Sequence, residues 1–445
     1  CLDEGLVPTC FERSGDIGGL WRFEVSPALY QPARRQNHRR SWDRLLAANH
    51  APLPCFACVK QAGFQEKPQE RKSAAAAGGP HGASWVPDTC SPRTQTSVCR
   101  VAKCPDFTTT GRWEVVTESK GKQEAAIFDA VLVCTGHHTD AHLPLSTFPG
   151  LEKFEGWYLH SRDYKSPQSF LGKRVVVVGT GNSGIDIAVE LSHTAKQVFL
   201  STKRGTWVLH RVADGGYPFD FSYISRFVQL LHNLLPQNAS NFLLERKVNS
   251  RFDHALYGLQ PQHRILDQHP TINDDLPNRI ISGRVLVKPN VQEFMETSAV
   301  FEDGTREDID AVVFATGYSF SFPFLEGCVK VVENQIPLYK FMFPANLEKP
   351  TLATTAPPAA TTSSSPGLQD LPPSSAMLAD IAQTKEKMAE RYVKSRRHTI
   401  QVDYIPLALE VAFGPCTPYQ YRLRGPGKWV GAREAILTQR QRVVR

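Results

Sequence analysis

The 445 residues contain no run of about twenty consecutive apolar residues, so nothing in them reads as a membrane-spanning helix. No charged and apolar leader opens the chain, so no secretory signal is read. The ten cysteines are scattered, which excludes a disulfide scaffold and points to a reducing compartment. Cys55 and Cys58 form a C-x-x-C, but Cys90 and Cys99 are too far apart to complete a zinc site with them. Charge of one sign is also scarce, at +7 net. No aromatic–basic module accompanies it, which argues against a nucleic-acid partner. An anionic membrane surface, or an ordinary solvated basic face, accounts for the excess. What remains is an ordinary apolar content of 41% and enough length for two or three domains with cores.

The most informative stretch runs from Val175 to Ala188. Four valines lead into Gly179, Gly181 and Gly184 in the spacing G-x-G-x-x-G, and an apolar helix pattern follows through Ile185, Ile187, Ala188 and Leu191. Strand, glycine turn and helix start together make the dinucleotide-binding fingerprint in its required context. Gly179 permits the tight turn, Gly181 lets the backbone approach a pyrophosphate, and Gly184 lets the helix pack close. The helix N-terminus offers N–H groups and partial positive charge to phosphates.

An acid that would grip a ribose 2′-hydroxyl is missing from its usual place, about twenty residues on. After the next strand, Gln197 to Leu200, the chain reads Ser201, Thr202, Lys203, Arg204, Gly205. Two hydroxyls and two cations suit a 2′-phosphate, so the nucleotide is read as NADPH; the alternative is a solvated turn.

A second nucleotide unit is signalled elsewhere. Leu6 to Phe11 reads as the second strand of such a unit and ends in Glu12, an acid placed for a ribose diol. Only eleven residues precede Glu12, so a glycine loop some twenty residues earlier lies outside this sequence. Gly18, Gly19, Leu20 and Trp21 follow, as in a loop lying over a cofactor. Two segments then repeat one pattern: Asp129 through Cys134, Thr135, Gly136, and Asp310 through Ala315, Thr316, Gly317. Each is an acid, a buried strand and a small-Thr-Gly turn, read as the last strand of a dinucleotide unit.

Phe154, Gly156, His160 and Tyr164 then fall in the order F-x-G-x-x-x-H-x-x-x-[YF]. With the glycine loop, the Glu12 and Trp21 segments, Phe314 to Tyr318, Phe413 to Pro418 and Gly425 to Trp429, this order resembles the flavin-containing monooxygenases. The likeness covers residues 1–23, about 101–352 and most of 374–445, and 130–350 look most like the family's fifth mammalian branch. The resemblance implies FAD held at Glu12, Gly18, Gly19, Leu20 and Trp21. It implies NADPH held at Gly179, Gly181, Asn182, Ser183, Gly184, Ile185, Asp186, Ser201, Thr202, Lys203 and Arg204, with Thr316 and Gly317 passing nearby. It implies an NADPH- and O₂-using enzyme that oxygenates amine nitrogen or sulfur, or inserts oxygen beside a ketone, through a C4a-hydroperoxyflavin. Small lipophilic substrates and the cytosolic face of the endoplasmic reticulum membrane go with that reading. His160 is read as a packed histidine at a domain junction rather than a proton carrier. No catalytic residue is identified.

The expected architecture is α/β with two Rossmann-like domains: a discontinuous FAD domain over 1–144 and 319–445, and an NADPH domain over 145–318. Apolar spacing in Phe227–Leu235 and Asn241–Arg251 predicts a helical insertion at about 215–285. Residues 28–98 and 353–373 are expected to be irregular from their Pro-, Ala- and Ser-rich composition. Family-like sequence breaks in those stretches, after Ile405 and at Arg445. The breaks suggest a truncated or mis-spliced chain that would bind FAD poorly, or be soluble. A non-catalytic NADPH-binding remnant and a disulfide reductase using Cys55 and Cys58 are the competing readings.

Overall fold

The computed structural model describes residues 8–15, 57–60, 93–136, 138, 140–219, 230, 234–354, 371–393, 423 and 428–438. Two compact units emerge, one from 1–140, 320–360 and 365–384, the other from 141–319, 361–364 and 385–445. Among the described residues of the tail, those from 385 to 393 group with the second unit, whereas the expectation from sequence assigned 319–445 to the first. A physical tie is visible: Val393 N–H donates to Asp267 O at 3.0 Å, and the Tyr392 ring stacks on His269.

In the first unit, β1 (Pro8–Phe11), β2 (Ala57–Lys60), β3 (Ser97–Lys103), β4 (Trp113–Ser119), β5 (Lys122–Phe128) and β6 (Ala130–Val133) make two sheets. β3, β4 and β5 form an antiparallel sheet. Its inward positions Val98, Val101, Trp113, Val115 and Phe128 join Phe11, Val131 and Val133 in one core. The other sheet runs β1, β2, β6 and then Leu352–Thr354, with β2 antiparallel to both its neighbours.

The second unit is a parallel sheet. It contains β7 (Trp157–His160), β8 (Arg174–Val178), α1 (Asn182–Leu191) and β9 (Gln197–Ser201). An insertion follows, with β10 (Val208–Leu209), α2 (Gln237–Asn249), β11 (Thr271–Ile272) and α3 (Leu276–Ile281). Then come β12 (Val285–Lys288), a three-stranded antiparallel meander of β13 (Val291–Phe294), β14 (Ser298–Phe301) and β15 (Arg306–Asp308), and finally β16 (Ala311–Phe314). The sheet order is β12, β9, β8, β16, β7, all parallel.

Alternation along β8 explains the valine run. Val175 and Val177 pack with Ile185, Ala188 and Leu191 of α1, while Val176 and Val178 pack with Phe154, Phe294, Phe301 and Phe314 on the meander side. A strand covered on both faces needs apolar residues at every position.

The insertion is not purely helical. α2 starts directly after Pro236, four residues ahead of the Asn241 start expected from spacing, because Pro236 ends the preceding backbone pattern and suits a helix entry. β11 returns to pair in parallel with β10, and β12 belongs to the main sheet, so the insertion closes before residue 285. Most of Phe227–Leu235 lies outside the described residues.

The two units share an order of strands. In the second, the glycine-turn strand β8 lies between β9 and the Thr-Gly strand β16. In the first, β1 and the Thr-Gly strand β6 flank the same slot, and antiparallel β2 fills it. β2 and the start of β3 fall inside 28–98, and Ala353 and Thr354 are strand residues inside 353–373. Both stretches were expected to be irregular. Composition there reads the average, whereas a four-residue strand needs only two neighbours offering backbone groups; apart from 93–96 and 371–373, the rest of both stretches lies outside the described residues.

Candidate nucleotide site

β8 ends at Val178 and the chain turns through Gly179, whose φ is +110°. A Cβ there would stand 2.6 Å from Ala315 O. One on Gly184 would stand 2.0 Å from Gly179 O, so only glycine lets α1 sit against the turn. Gly181 is the extended residue that opens α1, and the first helical bond is Ile185 N–H to Gly181 O at 3.0 Å. The N–H groups of Gly181, Asn182, Ser183 and Gly184 find no acceptor among the described residues. No acid sits in the first turn of α1 to compete for them. Asn182 and Ser183 are exposed. These are the features of an anion cradle at a helix N-terminus.

Ile185 and Asp186 differ from expectation. The Ile185 side chain is fully buried in the core and its N–H is spent on the helix. The Asp186 carboxylate accepts from Asn273 Nδ2 at 2.8 Å and pairs with Arg211 at 3.4 Å. Neither presents a group to a phosphate; both hold the helix in place.

At the end of β9, Ser201 and Thr202 are also committed. Ser201 Oγ donates to Pro289 O at 2.9 Å. Thr202 Oγ1 accepts from Gly205 N–H at 3.1 Å and pairs with Thr180 Oγ1 at 3.1 Å, which joins this turn to the glycine turn. Lys203 and Arg204 between them are exposed and form no ion pair among the described residues. The turn thus presents two uncommitted cations beside the fingerprint.

Thr316 and Gly317 follow β16 next to Gly179, since Ala315 N–H donates to Val178 O at 2.9 Å. Gly317, at φ +86°, gives its carbonyl to His142 N–H at 2.9 Å and to the His160 ring Nε2 at 3.0 Å. His160 Nδ1 accepts from Arg162 N–H at 3.1 Å, which leaves Nε2 as the protonated nitrogen. Burial pushes the His160 pKa below the ordinary imidazole value, so the ring is a neutral tether between β7 and the Gly317 turn.

The other members of the F-x-G-x-x-x-H-x-x-x-[YF] order are also structural. Phe154 packs on Phe294 with centroids 5.8 Å apart. A Cβ on Gly156 would meet the Phe154 ring at 2.3 Å and Asp310 O at 2.5 Å. Tyr164 donates to Glu190 of α1 at 3.0 Å, and burial holds its hydroxyl above its usual pKa. The motif therefore braces the sheet edge and the far end of the glycine-loop helix.

In the first unit, Glu12 lies just past β1, 3% exposed, and accepts from Ser14 N–H and Oγ, each at 2.7 Å. Gly18, Gly19, Leu20 and Trp21 lie outside the described residues, as does Cys55. Cys58 stands in register between Cys10 and Leu132. Sequence reasoning missed Thr180, Thr271 and Asn273, which are bonded around the glycine turn; Thr180 lies inside the fingerprint, but no sequence signal pointed to Thr271 or Asn273, about ninety positions downstream.

The family described as flavin-binding monooxygenase-like matches residues 1–29, 92–407 and 406–445. Flavin-containing monooxygenase 5 of Oryctolagus cuniculus is 52% identical over 487 aligned positions, covering 100% of this chain and 89% of the relative. The human flavin-containing monooxygenase 5 is 50% identical and the human flavin-containing monooxygenase 2 is 43% identical, with the same coverage. Among solved structures, S-allyl-L-cysteine S-oxygenase from Allium sativum is 21% identical with a TM-score of 0.46, covering 78% of this chain and 66% of that one. A cyclohexanone monooxygenase bound to ε-caprolactone is 15% identical with a TM-score of 0.45, covering 67% and 68%. With matches over nearly its whole length, the chain belongs to the flavin-binding monooxygenase-like family, and is a flavin-dependent monooxygenase whose cofactors are FAD and NADPH.

Proposed function

We propose that NADPH is held in the second unit, with its pyrophosphate on the N–H groups of Gly181 to Gly184 and its 2′-phosphate between Lys203 and Arg204. The described residues fit the group: a methyl-free cradle at Gly179 and Gly184, unspent N–H groups, and two unpaired cations at the end of β9. The observation that carries the reading is that pair of cations, because the hydroxyl side chains on the same turn, Ser201 and Thr202, are committed. In the first unit, the FAD ribose is assigned to Glu12 from family likeness and from its place just past β1.

When bound, NADPH supplies a hydride and FAD activates oxygen. This chain's residues bind and orient. The helix start neutralises the pyrophosphate, Lys203 and Arg204 select the phosphorylated ribose, and the neutral His160 holds the Gly317 turn without exchanging protons. The substrate proposed is a small lipophilic molecule with a soft nucleophile or a ketone, the latter supported by similarity to isoform 5. Association with the cytosolic face of the endoplasmic reticulum membrane is proposed from family likeness. Among the described residues no helix is long and apolar enough to cross a membrane.

The test is nucleotide selectivity. Replacing Lys203 and Arg204 with alanine should weaken NADPH binding about tenfold or more, since each charge-assisted bond to phosphate contributes ~1.5–3 kcal/mol. NADH binding should stay nearly unchanged by titration calorimetry. Equal losses for both nucleotides would show that these side chains do not read the 2′-phosphate.

A further inference from the structure

Three consecutive residues of the insertion each reach one residue of the glycine turn or its helix. Thr271 Oγ1 donates to Thr180 O at 2.9 Å, Ile272 N–H donates to Asn182 Oδ1 at 3.0 Å, and Asn273 Nδ2 donates to Asp186 Oδ1 at 2.8 Å. They lie about ninety positions downstream of the fingerprint, and nothing in G-x-G-x-x-G calls for them. We propose that β11 and Asn273 form a clamp that presets the glycine turn for the dinucleotide pyrophosphate, with Thr271 as its principal positioning residue. The proposal rests on the reading of NADPH at this turn.

Thr271 is fully buried, and its single hydroxyl proton is directed at Thr180 O. The Thr206 hydroxyl, 3.1 Å away, must then be the donor to Thr271. Thr271 in turn is fixed by its own N–H to Trp207 O at 2.8 Å. Holding the Thr180 carbonyl toward β11 has a consequence across the trans peptide: the Gly181 N–H must point the opposite way. That N–H, like those of Asn182, Ser183 and Gly184 that follow it, has no acceptor among the described residues. Asn273 works from the other end. Its Nδ2 holds Asp186 on α1, while its Oδ1 accepts from Asp275 and Leu276 N–H at 2.9 and 2.8 Å and so is rooted on α3. The clamp thus fixes both the peptide before the helix and the helix itself before any ligand arrives, which lowers the ordering cost of binding.

The full chain carrying Thr271→Val tests this, with Thr271→Ser as the conservative control. NADP⁺ and 2′-AMP are the probes, because only NADP⁺ carries a pyrophosphate while both carry the 2′-phosphate. Thr271→Val leaves the half-buried Thr180 carbonyl without its donor at the turn, so NADP⁺ should bind about tenfold more weakly while 2′-AMP stays within about twofold. Thr271→Ser should restore NADP⁺ binding. Unchanged NADP⁺ affinity overturns the clamp, and so does an equal loss for both probes, which would mark a general loss of structure. If the valine variant does not fold, Thr271→Ala gives the same readout. A wild-type chain that binds NAD⁺ as tightly as NADP⁺ would overturn the assignment of the 2′-phosphate but not the clamp, which would then weaken both dinucleotides alike. A wild-type chain that binds neither overturns both.

Discussion

Gly184 has no room for a methyl group. Its added Cβ would lie 2.0 Å from Gly179 O and 3.1 Å from Ala315 Cβ, both parts of rigid backbone or core. Gly184→Ala should therefore push α1 off the turn and weaken NADP⁺ at least tenfold, with a melting temperature several degrees lower, as overpacking costs ~1–3 kcal/mol. Fluorescence titration with NADP⁺ checks it, and wild-type affinity would mean that the helix start does not need this approach. The adjacent Asp186 teaches the converse lesson. A free carboxylate this close to an anion cradle would repel an anion, but here it is held between Asn273 and Arg211.

Among the elements, β2 carries the sharpest consequence. It occupies, in reverse direction, the place that β8 holds in the second unit. Its backbone groups pair on both sides, so the amides of Ala57 to Lys60 should exchange slowly with deuterium despite the Pro- and Ala-rich sequence around them. Hydrogen exchange read by mass spectrometry decides this. Fast exchange across 57–60 would remove β2 from the sheet and leave β1 and β6 unbridged.

Over the whole molecule, two buried imidazoles tie stability to pH. His254 is fully buried between Trp207 and Phe252. Its Nε2 accepts from Val208 N–H at 3.0 Å and its Nδ1 faces Asn249 Oδ1 at 2.7 Å, an arrangement only the neutral ring can make. Burial, chiefly, lowers its pKa from 6.5 to about 4, and burial lowers that of His160 as well. The unfolded chain binds these protons first as pH falls. Stability is therefore full above pH 6.5 and drains away toward pH 4, by about 3 kcal/mol at most for His254. Thermal melts between pH 7 and 4.5 should show the decline, with a shallower slope in His254→Gln. An equal slope in that variant would mean that His254 is not the titrating group.

The fingerprint, the strands on either side of it and the repeated Thr-Gly turns were legible in the amino-acid order, because strand burial and glycine geometry are local. Val175 to Val178 had to be a doubly covered strand, and Gly179 and Gly184 had to bring turn and helix together. The place of Lys203 and Arg204 on an exposed turn was legible for the same reason, being one strand downstream. What stood outside local reach was every interaction made across long sequence separation. Thr271 is brought to Thr180, and Asn273 to Asp186, by an insertion that folds back through β11. The direction of β2 depends on which neighbours leave a slot, and composition carries no record of that. Even His160 kept its two readings until Gly317 O and Arg162 N–H, one near and one distant in sequence, together left its ring a single tautomer. A hydrogen bond to a buried group is decided by whichever partner the fold delivers, and only the tertiary structure delivers it.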